Sequence, residues 1–182
     1  METGLARGVA IGGGVVTALA AFALYGKPSP HFDWSEFDAD EAPFGARLNL
    51  FALIWWGLEG TRAECGGHAL IPTSGFRTAQ KQDALIAAGM TTTKDSDHEV
   101  GKACDFVIPD FGSPSVVMGV VYANRARHPW KQVILEYLNG VETHVHVAID
   151  TAHLLDPANA RQEFLYTLDR KNYLPWTPTV FV

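Results

Sequence analysis

The sequence predicts an α+β domain in which helices flank a mostly antiparallel sheet. The strongest observation is Asn139-Gly140, a dipeptide typical of tight hairpins, which separates β-rich runs at 131–138 and 142–149. Shorter strand-like runs occupy 69–74 and 103–108, and apolar residues recur with helical spacing from 44 to 58. With 182 residues, of which 47% are hydrophobic, the chain is long enough for one domain with a sizeable core.

The first 30 residues are set apart from this domain. An uncharged run rich in Ala, Val and Gly extends from Gly8 to Tyr25, follows Arg7 and precedes the polar breaker at 26–30. This order predicts an apolar helix that serves as an export signal or a single membrane anchor, because about 18 apolar residues just span a bilayer. We therefore expect residues 1–30 to bring the protein to the periplasm or cell envelope, with membrane contact through 8–25.

A short connecting segment is expected between the apolar run and the folded domain. Residues 31–42 are interpreted as a linker because they are rich in acidic residues, with Phe32, Trp34 and Phe37 as docking points. The domain itself is then expected to occupy residues 43–182.

Capping and turn residues predict the remaining elements. The first helix begins near Pro43, since proline is favoured at the first helical position, and it ends at Gly60 or at Gly66-Gly67. Pro72 places the strand at 69–74 near a sheet edge, because proline cannot donate a hydrogen bond to a neighbouring strand. The other predicted elements are a helix at 79–88 closed by Gly89, a helix at 115–125 capped by Ser113-Pro114, and a C-terminal helix at 157–168.

Charge and cysteine content narrow the functional classes. The formal net charge of -6 argues against a partner bound through nucleic-acid phosphates. Two cysteines, Cys65 and Cys104, are too few for a disulfide scaffold. We expect buried free thiols, and one disulfide in an oxidising compartment is the alternative.

Three side chains have the spacing and chemistry of a metal site. His98 and Asp105 are near one another in the sequence, and His146 lies on the second strand of the hairpin. Two imidazoles and one carboxylate suit a catalytic zinc ion, whose fourth position stays open for water. The strand period of two predicts that Glu142 and His144 share a face with His146, opposite the valines between them.

The register of the hairpin decides which glutamate acts as a base. A two-residue loop at 139–140 leaves Glu142 as the candidate, because Glu136 then faces away from the metal. A three-residue loop at 139–141 instead places Glu136 opposite His144, on the metal face. The residue pattern alone leaves both registers open.

Four short motifs occur in order between about residue 70 and about residue 150. They are Ser74-Gly75-Phe76-Arg77-Thr78, Ser96-x-His98-x-x-Gly101-x-Ala103-x-Asp105, Gln132-Val133-Ile134-Leu135-Glu136 and His144-Val145-His146-Val147. Together they resemble the peptidase M15 family. That family includes zinc D-alanyl-D-alanine carboxypeptidases and phage L-alanyl-D-glutamate endopeptidases, and it shares its fold with the hedgehog signalling domain.

The resemblance implies a complete set of site residues. They are His98, Asp105 and His146 as zinc ligands, Glu136 as general base, His144 as the group that stabilises the oxyanion or orients the water, and Arg77 as the group that binds a substrate carboxylate or carbonyl. The base assignment favours the three-residue loop. Glu142 departs from the family pattern by adding a carboxylate beside the site, so it remains the alternative base.

The resemblance also implies a substrate and two kinds of function. Family members cut peptidoglycan stem peptides, which agrees with export, and a phage lysin, a virion-associated enzyme or a bacterial wall-remodelling enzyme would fit. The alternative function is a non-catalytic, zinc-stabilised cell-wall-binding or structural module. A cysteine hydrolase is disfavoured, because Cys104 is expected to face away from the metal.

Overall fold

The structure, a computed structural model, describes residues 26–160 and 162–178, and its centre is a six-stranded sheet. The strand order is β1-β2-β4-β3-β5-β6, and each neighbouring pair is antiparallel except β3 and β5, which are parallel. The predicted α+β class with a mostly antiparallel sheet is therefore confirmed. The strands are β1 Ile71–Ser74, β2 Ala103–Val107, β3 Trp130–Leu138, β4 Val141–Ile149, β5 Glu163–Thr167 and β6 Leu174–Pro175.

The described residues form four α-helical segments: α1 Phe44–Leu53, α2 Glu59–Glu64, α3 Ala79–Ala87 and α4 Pro114–Ala123. A π-helical turn, Ile54–Leu58, joins α1 to α2. The helix boundaries lie at the predicted residues, since Pro43 precedes α1 and Ser113 precedes α4, although neither side chain forms a capping hydrogen bond. The long helix continues through Gly60 and stops before Gly66 and Gly67, both of which have a left-handed backbone.

The hydrophobic core lies between one face of the sheet and three helical segments, which are α1, the π-helical turn and α4. Because side chains alternate along a strand, β2, β3 and β4 direct every second residue into this core. The buried residues on that face are Cys104, Phe106, Val133, Leu135, Val145 and Val147. Both cysteines are buried free thiols, as expected, and burial raises the pKa of Cys65 to about 11.

The segment before α1 packs as part of the domain rather than as a linker. It forms two short 3-10 helices, Trp34–Phe37 and Ala39–Glu41, and Phe32 and Phe37 are buried in the core. The backbone N–H of Phe76 donates to Phe37 O at 2.7 Å. The acidic composition concealed this packing, because the acidic residues face solvent while the aromatic residues between them turn inward.

The predicted C-terminal helix at 157–168 is wrong. A 3-10 turn, Pro157–Asn159, is followed by β5, which pairs with the open edge of β3. Without this pairing, β3 would present a row of unsatisfied backbone N–H and C=O groups. Phe164 and Tyr166 of β5 pack against the core, so long-range pairing determines the structure of this segment.

The apolar helix expected at 8–25 lies outside the described residues. Within residues 26–160 and 162–178, no helix has both the length and the apolar character needed to cross a membrane.

Candidate metal centre

His98, Asp105 and His146 form a group that is able to hold a metal ion, as the sequence predicts. His146 Nδ1 lies 2.7 Å from Asp105 Oδ1 and 3.3 Å from His98 Nε2. The third side of this triangle, from His98 Nε2 to Asp105 Oδ1, is 3.4 Å. The three potential ligand atoms therefore converge on one point from three separate chain segments.

Strand pairing and one tight loop bring these ligands together. Asp105 on β2 pairs directly with His146 on β4, on the sheet face opposite the core. His98 precedes Gly101, whose left-handed backbone (φ 71°) lies so close to Ala46 O that a side chain there would overlap it. The ring of His98 is oriented by Gly75 O, which lies 2.7 Å from Nδ1. Donation from Nδ1 leaves Nε2 free as an acceptor toward the site.

The electrostatics of the group favour ionised Asp105. Burial opposes ionisation of this carboxyl, but His98 and His146 beside it hold its pKa well below the ordinary value. Burial also opposes charge on His146, while the hydrogen bond and the charge of Asp105 raise the pKa of that ring above its ordinary value. A metal ion bound by these atoms would replace the proton shared between His146 Nδ1 and Asp105 Oδ1.

The hairpin that carries His146 closes through a two-residue turn. Asn139 and Gly140 both have a left-handed backbone, with φ values of 54° and 79°, and Leu138 pairs with Val141. The three-residue loop favoured by the family resemblance is therefore wrong.

A β-bulge nevertheless places Glu136 opposite His144. Tyr137 pairs with Glu142 and Glu136 pairs with His144, so Thr143 is the extra residue of β4. The Thr143 hydroxyl donates to Glu136 O at 3.0 Å. The two alternatives drawn from the sequence both assumed regular pairing. Because of the bulge, the hairpin combines the two-residue loop of the first with the pairing of Glu136 and His144 of the second.

The same bulge turns Glu142 away from the metal face. Its carboxylate accepts a hydrogen bond from the Ser115 N–H at 2.9 Å, at the start of α4, and another from the Tyr137 hydroxyl at 3.2 Å. The expectation that Glu142 shares a face with His146 is therefore wrong. Of the two glutamates, Glu136 is the one that lines the cleft at the metal group.

Glu136 lies between two cationic or potentially cationic groups. His144 Nε2 lies 3.3 Å from Glu136 Oε2, and Arg170 Nε lies 3.0 Å from the same oxygen. Neither contact is a hydrogen bond, and both nitrogens are buried without a hydrogen-bond partner among the described residues. Burial opposes ionisation of Glu136, but the interaction with His144 outweighs it and lowers the pKa of the carboxyl.

Arg77 reaches the site from the turn before α3. Its guanidinium donates to Ser74 Oγ at 2.9 Å and to Gln82 Oε1 at 3.0 Å, and it lies 3.6 Å from Asp105 Oδ2. Arg77 thus lines the cleft and also forms an ion pair with one carboxylate of the candidate metal group. The Arg77 N–H donates to His98 O at 3.2 Å, which ties this turn to the ligand loop.

A cleft of about 360 Å³ opens at the metal group. Its lining includes residues of the segment at 90–97 and, from the turn after β5, Arg170 and Tyr173. Sequence reasoning missed both of these residues, because it placed the preceding segment in a helix and attached no motif to the turn. Lys131, which forms a 2.7 Å ion pair with Asp97 beside the cleft, was also missed.

No protein-family model matches the chain, and no curated protein shows significant similarity to it. The resemblance to the peptidase M15 family therefore rests on the four short motifs and stays a prediction.

Proposed function

We propose that this protein is a zinc-dependent peptidase that hydrolyses peptide bonds in peptidoglycan stem peptides or cross-links. The observation that carries the proposal is the convergence of His98, Asp105 and His146 beside Glu136 and His144, at the floor of an open cleft.

The donor set suits zinc. In a tetrahedral zinc site with bonds of about 2.0–2.1 Å, neighbouring ligand atoms lie about 3.3 Å apart. The two distances from His98 Nε2, 3.3 and 3.4 Å, agree with this spacing, and the 2.7 Å contact from His146 to Asp105 would need to widen slightly. Structural zinc sites usually close the fourth position with a protein ligand, whereas the groups that form this site within the described chain number three. This favours catalysis over the binding-module alternative.

Glu136 is the proposed general base. Zinc held by the three ligands would supply Lewis acidity that polarises the scissile carbonyl and makes a water molecule more acidic. The carboxylate of Glu136, kept ionised by its lowered pKa, accepts the proton from the attacking water and delivers it to the leaving amine.

His144 and Arg77 are placed to stabilise negative charge on the substrate. His144 Nε2 is buried without a hydrogen-bond partner among the described residues, so it is free to donate to the oxygen of the scissile carbonyl. The Nε of Arg77 is likewise buried and unbonded. We infer that it binds a carboxylate or carbonyl of the substrate, since a guanidinium presents several donors in one plane.

The peptidoglycan substrate is supported by the four motifs and by the apolar run at 8–25, which predicts export or membrane anchoring. A phage lysin or virion-associated wall-degrading enzyme combines such a segment with a small hydrolytic domain. We therefore place the activity in the cell envelope, either in an infecting virion or in the lysing host.

Digestion of purified peptidoglycan by the full chain tests the proposal. The zinc-loaded protein is expected to release fragments with new amine ends, a chelator to stop the release, and added zinc to restore it. Mass spectrometry of the fragments identifies the bond that is cut. A folded, zinc-loaded protein that binds peptidoglycan without releasing fragments would instead support the non-catalytic binding module.

A further inference from the structure

We propose that Arg170, in the turn between β5 and β6, is a positioning residue that holds the carboxylate of Glu136 in its working orientation. The proposal rests on the proposed peptidase function, because it concerns the base of that reaction. It comes from a part of the chain that carries none of the four motifs.

The contact between the two side chains is close and shielded. Arg170 Nε lies 3.0 Å from Glu136 Oε2, and the side chains are 20% and 14% exposed. The register of the parallel pair explains this proximity: Thr167, the last residue of β5, lies beside Glu136. The turn that follows β5 therefore delivers Arg170 directly over the carboxylate.

The two oxygens of the Glu136 carboxylate have different surroundings. Among the described residues, Arg170 Nε and His144 Nε2 both approach Oε2, at 3.0 and 3.3 Å. Two cationic or potentially cationic groups beside one oxygen attract its negative charge, and this attraction favours one rotation of the carboxylate about its last side-chain bond. Oε1 is then the oxygen presented for proton transfer, which is what a general base requires.

The backbone of Arg170 indicates that its side chain is there for a reason other than turn formation. Arg170 has a left-handed backbone, with φ of 58°. The other non-glycine residues with positive φ in the described chain are Asp38 and Asn139, whose types tolerate this conformation well. Glycine would form the turn with less strain, and such strain accumulates at functional sites.

The surrounding turn maintains this strained conformation. Asp169 accepts hydrogen bonds from the backbone N–H groups of Lys171 and Asn172, at 2.9 and 2.8 Å. These bonds lower the pKa of Asp169 to about 2, so it stays ionised over the working range of pH. The Tyr173 hydroxyl donates to Arg170 O at 3.4 Å and closes the turn.

The test compares Arg170→Gly with Arg170→Ala in the full zinc-loaded chain. Both variants lose the guanidinium, but glycine also relieves the left-handed strain, so Arg170→Gly should melt at a higher temperature than Arg170→Ala. If Arg170 positions Glu136, both variants should lose kcat equally, by about 10- to 100-fold, with KM changed less than about threefold. Zinc affinity should be unchanged, since Arg170 contacts none of the three metal-binding side chains.

Two further measurements separate positioning from a structural role. Added guanidinium ion should restore part of kcat to Arg170→Gly, and Arg170→Lys should retain more activity than Arg170→Ala. The matched control is Asn139→Gly, which places glycine at another left-handed turn residue and should leave kcat within about twofold of wild type.

The proposal is overturned if activity follows melting temperature, so that Arg170→Gly is more active than Arg170→Ala. It is also overturned if KM rises while kcat is unchanged, because Arg170 would then bind substrate. Full kcat in both variants, with an active wild type, would refute this inference and leave the peptidase standing. A zinc-loaded wild type that cuts nothing would overturn both.

Discussion

The two faces of the central sheet use alternate residues of the same strands for opposite purposes. On β2, Cys104 and Phe106 are buried in the apolar core, while Asp105 between them points into the cleft. On β4, Val145 and Val147 are likewise buried in the core, while His146 between them lines the cleft. The proposed catalytic groups are thus one residue away from the buried core, which holds them rigidly.

The largest effects are expected from substitutions at two adjacent residues of β2, one on each face of the sheet. The first is on the apolar face. Phe106→Ala should reduce the free energy of unfolding by about 3–5 kcal/mol, because it leaves a cavity in a fully buried region. Urea denaturation measures this loss. A loss under about 1 kcal/mol would show that the apolar face can collapse around the deletion.

Asp105→Asn is the counterpart on the polar face. Removing the carboxylate should abolish zinc binding and peptidoglycan cleavage, because a neutral amide is a poor ligand for zinc. The far-UV circular dichroism spectrum should stay as in the wild type, since the side chain fills the same volume. Retention of stoichiometric zinc would contradict the assigned ligand set.

A second pair of substitutions tests the effect of the bulge. Glu136→Gln should lower kcat by about 10²- to 10⁴-fold, because the amide cannot accept the proton. Glu142→Gln, a matched change on the opposite face, should leave kcat within about threefold and cost about 1 kcal/mol of stability through its bond to α4. The reverse pattern of activities would reinstate Glu142 as the base.

The affinity for zinc should depend on pH in a direction set by His146. Asp105 raises the pKa of this ring, so the proton that zinc must displace is held more tightly than usual. Affinity should fall by about tenfold per pH unit below that raised pKa, and level off above it. In the zinc-free protein, the ion pair between His146 and Asp105 stabilises the fold at pH values below the ordinary histidine pKa. This contribution is lost as the pH rises through the raised pKa of His146. Chelator competition between about pH 5 and pH 8 measures the affinity, and a flat profile would contradict the assignment.

A small effect on cleavage is also expected from deleting the bulge itself. Removal of Thr143 leaves Glu136 opposite His144, because Thr143 has no partner on β3 while the residues on both sides of it are paired. Cleavage should therefore remain within about tenfold of wild type. Deletion of Val145 is the matched control, since it moves His144 to the core face and should abolish cleavage. Loss of activity in both would show that the bulge sets the angle of the strand.

Much of this architecture could be predicted because its signals are local. Pro43, Ser113 and Gly89 mark helix ends through backbone geometry within one or two residues, and the structure places the helix ends there. The Asn139-Gly140 turn follows from the left-handed preference of those two residues. The grouping of His98, Asp105 and His146 was also accessible, because alternation places Asp105 and His146 on one sheet face.

Other features depended on partners distant in the sequence. A single bulged residue, Thr143, determined which glutamate faces the metal group. No local sequence pattern around Thr143 predicts the bulge. The segment at 163–167 became a strand because β3 had an open edge to satisfy. Arg170 then entered the cleft because that strand ends beside Glu136.

By itself, then, the sequence determined the fold class, most element boundaries and the three side chains that could hold a metal ion, since caps, turns and strand alternation act over a few residues. Only the tertiary structure decided the register of the hairpin, the parallel pairing of β5 and the presence of Arg170 at the site. These depend on backbone groups that are far apart in the chain and acquire partners only when the sheet assembles.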